Sequence, residues 1–184
     1  TITYTERATA TETLKTSVVE TITATETVPP VGYEVYSKFG FSFEYPEGMT
    51  ILELGLLGSA PTDDSGVAVG TLENDEYEVI TVAWVKSATV LPLESALEGA
   101  LGAMETSPGV TDLEIGERVK TTKAGHRMLY QYFNVTLLAK QLFGVYGVWY
   151  CDMSQRLYQL YLMYSEEDVL PTYRRYLDSF VCHS

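Results

Sequence analysis

Threonine stands at positions 1, 3, 5, 9, 11, 13, 16, 21, 23, 25 and 27, and an alternation of that kind cannot build a core of its own. Between the threonines lie Ile2, Tyr4, Ala8, Ala10, Leu14, Val18, Ile22 and Val28, interrupted by Glu6, Glu12, Glu20 and Glu26. A period of two places alternate residues on opposite faces of a β-strand, whereas a helix would scatter both sets around its circumference. The segment reads as an extended β-type N-terminal arm with a threonine face and a mostly apolar face, and such a strand needs a sheet to join. Pro29 and Pro30 end it, because two successive residues without an amide hydrogen break any ladder. Residues 1–30 are thus one unit, and residues 31–184 have the length of one ordinary domain with a sizeable core.

The formal net charge is −13, from 12 Lys and Arg against 25 Asp and Glu, so the field of the molecule repels nucleic-acid phosphates and anionic lipid surfaces. No nucleic-acid partner is expected. Fourteen Tyr against two Trp suit a twisted sheet with half-wet faces. No run approaches the roughly 20 apolar residues of a membrane span. The sequence starts at Thr1 instead of Met, and the expectation is a processed, secreted chain, extracellular or on a cell surface. In that setting Cys151 and Cys182 are candidates for one disulfide, contributing about 3–4 kcal/mol in the loop-entropy model; the alternative is two buried free thiols. Asn134-Val135-Thr136 is a glycosylation sequon, and the arm offers hydroxyls for O-linked glycans.

Periodicity divides the domain further. Residues 31–36 begin the domain, a first strand is expected at 39–45 and a short second one at 51–54, then a Gly/Ser/Pro/Asp-rich loop over 55–66. Residues 67–73 and 77–86 flank the turn former Asn74-Asp75 and read as a hairpin. Leu93, Ala96, Leu97, Ala100, Leu101 and Met104 follow helical spacing, stopped by Pro108-Gly109. Four strand regions at 113–121, 126–138, 143–151 and 156–164 form an antiparallel meander. A final helix carries Leu170, Tyr173, Leu177 and Val181 on one stripe, with Ser165 as cap or Pro171 in the first turn. Arg174 and Arg175 would then favour its C-terminal end. The fold class is α+β: a twisted antiparallel sheet with two packed helices, preceded by the arm.

The opening FGFSFEYPEGM, the helix near 91–105, the Tyr-rich meander 127–164 and the closing YSEEDVLPTYRRYLDSF together resemble the PsbP-like superfamily, over roughly residues 33–181. That superfamily includes the photosystem II extrinsic subunit and many secreted prokaryotic relatives. The resemblance implies a PsbP-like fold and a non-catalytic accessory or assembly role, with no family metal ligands to carry over. The arm has no counterpart there and looks like the Thr-rich segments of archaeal cell-surface proteins.

Catalytic constellations are missing. His126 and His183 are the only histidines, so no nucleophile–base–orienter triad is available. Nucleotide-loop, nucleophile-elbow and zinc-protease motifs do not occur. Two cysteines are too few for a structural zinc site, and His126 reads as an exposed turn residue. Asp63-Asp64 and the group Glu73, Asp75, Glu76 and Glu78 lack calcium-loop spacing and read as solvated turns. A stripe of Tyr158, Tyr161 and Tyr164 with Tyr146 and Tyr150 reads as core or cross-strand pairs before it reads as a ligand platform. The expectation is a protein that is not an enzyme and that carries no cofactor, metal or catalytic residue.

The arm, about 28 residues at 3.3 Å each, reaches on the order of 90 Å; the domain is only about 40 Å across. An arm that adds a strand to the next copy makes a head-to-tail contact, and such contacts propagate. The leading expectation is therefore a structural subunit of an extracellular filament or pilus, a homopolymer of identical subunits joined through the apolar arm face. The rival is a PsbP-like binding or accessory module on a flexible Thr-rich stalk.

Overall fold

A computed structural model describes residues 32–72, 77–90 and 92–183. Two strands, β1 (Tyr33–Lys38) and β2 (Phe41–Pro46), form a separate antiparallel hairpin. The sequence suggests one strand over 39–45, but Phe39 and Gly40 take positive φ of 52° and 71° and make a two-residue turn. Two positive φ angles in succession match the twist of a hairpin, and a glycine at the second accommodates them.

The main sheet has seven antiparallel strands in the order β3-β4-β5-β9-β8-β7-β6. These are β3 (Thr50–Leu54), β4 (Ser65–Leu72), β5 (Glu78–Lys86), β6 (Val110–Lys123), β7 (His126–Leu137), β8 (Lys140–Cys151) and β9 (Arg156–Tyr164). The chain leaves β5, crosses the sheet through α1 (Leu93–Glu105) to the far edge, and meanders back until β9 lies beside β5. The meander turns are tighter than the sequence suggests: Ala124-Gly125 and Leu138-Ala139 are two-residue turns with positive φ throughout.

The two faces of the sheet are closed differently. On one, β1–β2 and α2 (Leu170–Ser179) cover Trp84, Trp149, Tyr158, Leu160 and Leu162. On the other, Leu93, Leu97 and Leu101 of α1 pack on Leu129, Phe133, Val135, Leu142 and Val148. Strand β8 is buried on both faces from Val145 to Cys151 and reads as a continuous apolar run. Its glycines make room on opposite sides: a Cβ at Gly144 would lie 2.0 Å from Phe133 Cζ, and one at Gly147 would lie 2.0 Å from Tyr173 Oη.

Helix α2 has Pro171 in its first turn as expected, but Val169 occupies the cap position instead of Ser165. The helix ends at Ser179, so Val181 leaves the helical stripe and bridges to Ser42 through hydrogen bonds of 3.0 and 2.8 Å. Arg174 and Arg175 do not occupy the last turn, which has no basic residue. Arg175 instead lies over the Tyr33 ring, 5.1 Å from its centroid, and donates to its hydroxyl. Val181 leaves the stripe because Phe180 turns extended to reach the aromatic core, whereas Arg174 and Arg175 sit at the middle of the ten-residue helix.

Substituting Gly144→Ala forces the added methyl into the Phe133 ring, and overpacking of this kind costs about 1–3 kcal/mol. Chemical denaturation is expected to show a lower midpoint with an unchanged slope.

Candidate ligand-binding cleft

The sequence LESALEGALGAME gives α1 two kinds of surface. Leu93, Leu97 and Leu101 anchor the helix, while Ala96, Gly99, Ala100 and Ala103 form an adjacent flank of small side chains. Small residues there cannot fill the space between helix and sheet, and a cleft of about 580 Å³ remains. Its opposite wall is formed by Tyr146, Gln159, Tyr161 and Met163, projecting from β8 and β9.

The Tyr146 and Tyr161 rings stack there with centroids 5.2 Å apart and planes 16° from parallel. Tyr146 Oη donates to Gln159 Oε1 at 2.7 Å, which fixes the amide orientation. Burial first, and the neighbouring Tyr161 second, push the Tyr146 phenol far above its ordinary range. Tyr146 is therefore a neutral donor at any physiological pH. The arrangement offers apolar walls, two aromatic faces and one oriented amide, a composition suited to small-molecule binding.

Other residues singled out by sequence fall elsewhere. Ile2, Tyr4, Ala8, Ala10, Leu14, Val18, Ile22 and Val28 lie outside the described residues. Cys151 and Cys182 form a disulfide, with Cα atoms 6.4 Å apart, joining the end of β8 to the segment after α2. Asn134 is half-buried within β7, opposite Glu114 on one side and Phe143 on the other.

The tyrosine stripe divides, because strand alternation sends residues three apart to opposite faces. Tyr158 and Tyr164 belong to the core under α2, while Tyr146 and Tyr161 line the cleft. Asp64 is exposed and pairs with Lys86 at 3.0 Å. Glu73, Asp75 and Glu76 lie outside the described residues. Glu78 is not in a solvated turn: it is buried and accepts a hydrogen bond from Tyr176 Oη of α2. His126 is not an exposed turn residue, since its side chain is only 13% accessible. The cleft itself escaped the sequence reading, although the small residues at 96, 99, 100 and 103 already had helical spacing.

No protein-family model and no curated protein sequence matches this chain. Solved structures do. Cyanobacterial PsbP (CyanoP) from Synechocystis superposes with a TM-score of 0.57 at 17% identity, covering 84% of this chain and 95% of that one. The Saccharomyces cerevisiae Ran-binding protein Mog1p superposes with a TM-score of 0.52 at 12% identity, covering 83% and 96%. The chain has the PsbP-like α+β fold, which these two proteins share.

Burial raises the phenols of Tyr146, Tyr173 and Tyr176 above the ordinary value, with the Glu78 carboxylate adding to the effect at Tyr176. Folding stability contributed by these protonated phenols is complete below pH about 10 and is lost as pH rises above it, where the unfolded chain releases the protons first. A spectrophotometric titration is expected to show a late phenolate step coincident with loss of far-ultraviolet circular dichroism.

Proposed function

We propose that this chain is a non-catalytic, extracellular or cell-surface binding module whose cleft beside α1 takes a mostly apolar, ring-bearing small molecule with one hydrogen-bonding group. The observation that carries this reading is the 580 Å³ cleft with the Tyr146–Tyr161 stack and the oriented Gln159 amide on one wall. Its volume falls within the roughly 300–1,000 Å³ range of small-molecule sites. The disulfide supports an oxidising compartment. Structural neighbours supply no ligand by analogy, because one fold hosts unrelated partners.

Ala100 lines the cleft from the helix side, so Ala100→Phe fills it while the Leu93, Leu97 and Leu101 anchors are retained. Titration with 1-anilinonaphthalene-8-sulfonate is expected to show one binding event that this substitution weakens at least about tenfold, equivalent to about 1.4 kcal/mol. Equal binding by both proteins, with native circular dichroism, defeats the reading.

A second role, the head-to-tail filament subunit, is favoured by the edge strand β3. It has no strand on its outer side among the described residues, and Leu52 and Leu54 on one face, followed by Leu56, are exposed. The opposite edge, β6, is defended by Asp112, Glu114, Glu117 and Lys120 and by a register shift between Ile115 and Arg118. Strand addition by the alternating arm of another copy would place its apolar row beside Leu52 and Leu54. Deleting residues 1–28, or changing Leu52→Lys with Leu54→Lys, is expected to abolish long assemblies in negative stain. Identical particles from the native and altered chains rule the filament out and leave the arm as a stalk.

A further inference from the structure

The chain contains two cysteines and two histidines, and folding collects all four at one corner. Extending the β7–β8 register from Met128↔Trp149 by one further pair on the same face sets His126 opposite Cys151. The segment after α2 then brings in Cys182 and His183. A ring nitrogen of His126 and the sulfurs of Cys151 and Cys182 all lie within 4.8 Å of one another. His183 Nδ1 is 3.5 Å from Cys182 Sγ. Beside them is a cavity of about 100 Å³, lined by His126, Trp149, Phe180, Cys182, His183 and Lys123.

We infer that this corner is a redox-exclusive metal site: with the disulfide intact it holds none, and with the two thiols free it binds one zinc-class divalent ion through Cys151, Cys182, His126 and His183. Two cysteines alone do not make a structural zinc site, but two thiolates with two imidazoles are a standard tetrahedral donor set. The inference is independent of the cleft and of the arm.

Three features prepare the corner for an ion. Asp152 Oδ2 lies 3.3 Å from His126 Nδ1, the kind of carboxylate contact that orients an imidazole and raises its basicity at metal sites. The Cys182 segment is held without the S–S bond: Val181 pairs with Ser42 in both directions, and Tyr158 Oη donates to Cys182 O at 3.2 Å. Cys151 is fixed by its place in the β8–β9 ladder opposite Arg156. Opening the bond therefore leaves the sulfurs as neighbours, and tetrahedral zinc needs them only about 3.8 Å apart. Lys123 opposes the ion, but its ammonium is already directed to Asp178 O at 3.1 Å.

The chemistry balances. A dithiol reductant gives two electrons and two protons to the S–S bond and itself becomes a disulfide, leaving Cys151 and Cys182 as thiols. The divalent ion then displaces both thiol protons as it binds two thiolates and two neutral imidazoles. A trialkylphosphine with water delivers the same electrons and protons and becomes the phosphine oxide.

The test uses the full chain, reduced with a phosphine and titrated with Co²⁺ and then Zn²⁺ under anaerobic conditions. The expected result is one equivalent of Co²⁺ with thiolate-to-cobalt charge-transfer and tetrahedral d–d bands, displaced by Zn²⁺, and none of these bands with the oxidised chain. His126→Ala and His183→Ala are each expected to lose the tetrahedral spectrum, and Asp152→Asn to weaken binding about tenfold. Circular dichroism of the reduced chain covers the case of unfolding: recovery of native signal on adding Zn²⁺ supports the site. Absence of charge-transfer bands, whether the reduced chain stays folded or not, overturns it. So does an unchanged spectrum in both histidine variants.

Discussion

Phe41 and Phe180 meet Trp84, Trp149 and Tyr158 at ring separations of 5.0–5.6 Å, and this cluster is made from four distant parts of the chain. Phe41 comes from the first hairpin, Trp84 from β5, Trp149 and Tyr158 from the paired strands β8 and β9, and Phe180 from just beyond α2. Ring pairs in offset and edge-on arrangements add about 0.5–1.5 kcal/mol each beyond their buried area. The cluster therefore fixes where the hairpin lies, where α2 must stop, and where the last residues run. The premature end of α2, the Val181–Ser42 bridge and the position of Cys182 all follow from the demand that Phe180 reach this core.

The sheet's other face is under a weaker constraint. One helix, α1, covers it, anchored by three leucines and flanked by alanine and glycine. A close-packed interior has few voids larger than a water molecule, so a cleft of this size marks a surface not closed by the fold's own side chains. The polar pair Tyr146–Gln159 stands at its wall, the phenol donating to the amide oxygen.

Polar groups elsewhere are spent on holding the architecture. Arg156, nearly buried, donates to Phe39 O at the first hairpin turn and to Tyr158 Oη, which in turn bonds Cys182 O. Gln131 donates to Gly116 O at the β6 irregularity, so that carbonyl keeps a partner where the ladder register shifts. Tyr176 to Glu78 ties α2 to β5. This network links the hairpin, the central strands and the C-terminal segment, and it places the chain's sulfur and imidazole donors at one rim of the aromatic core.

Element type was legible where periodicity is local. The alternation along β4, β5 and the meander, the leucine spacing of α1 and the position of Pro171 in α2 each announce themselves within a dozen residues. Turns were less legible, because Phe39 and Leu138-Ala139 adopt positive φ at residues with no chemical preference for it. The tyrosines read from sequence as core or cross-strand pairs, and Tyr158 and Tyr164 are core while Tyr146 and Tyr161 pair across β8 and β9; which face each takes was not legible, since a strand sends Tyr158 and Tyr161 to opposite faces. The sequence alone determined the strand-and-helix order, the α+β class and the amphipathic helix, since those depend on neighbours in the chain. Only the tertiary structure decided the cleft and the meeting of His126, Cys151, Cys182 and His183, because register and strand order bring together residues that carry no local sign of one another.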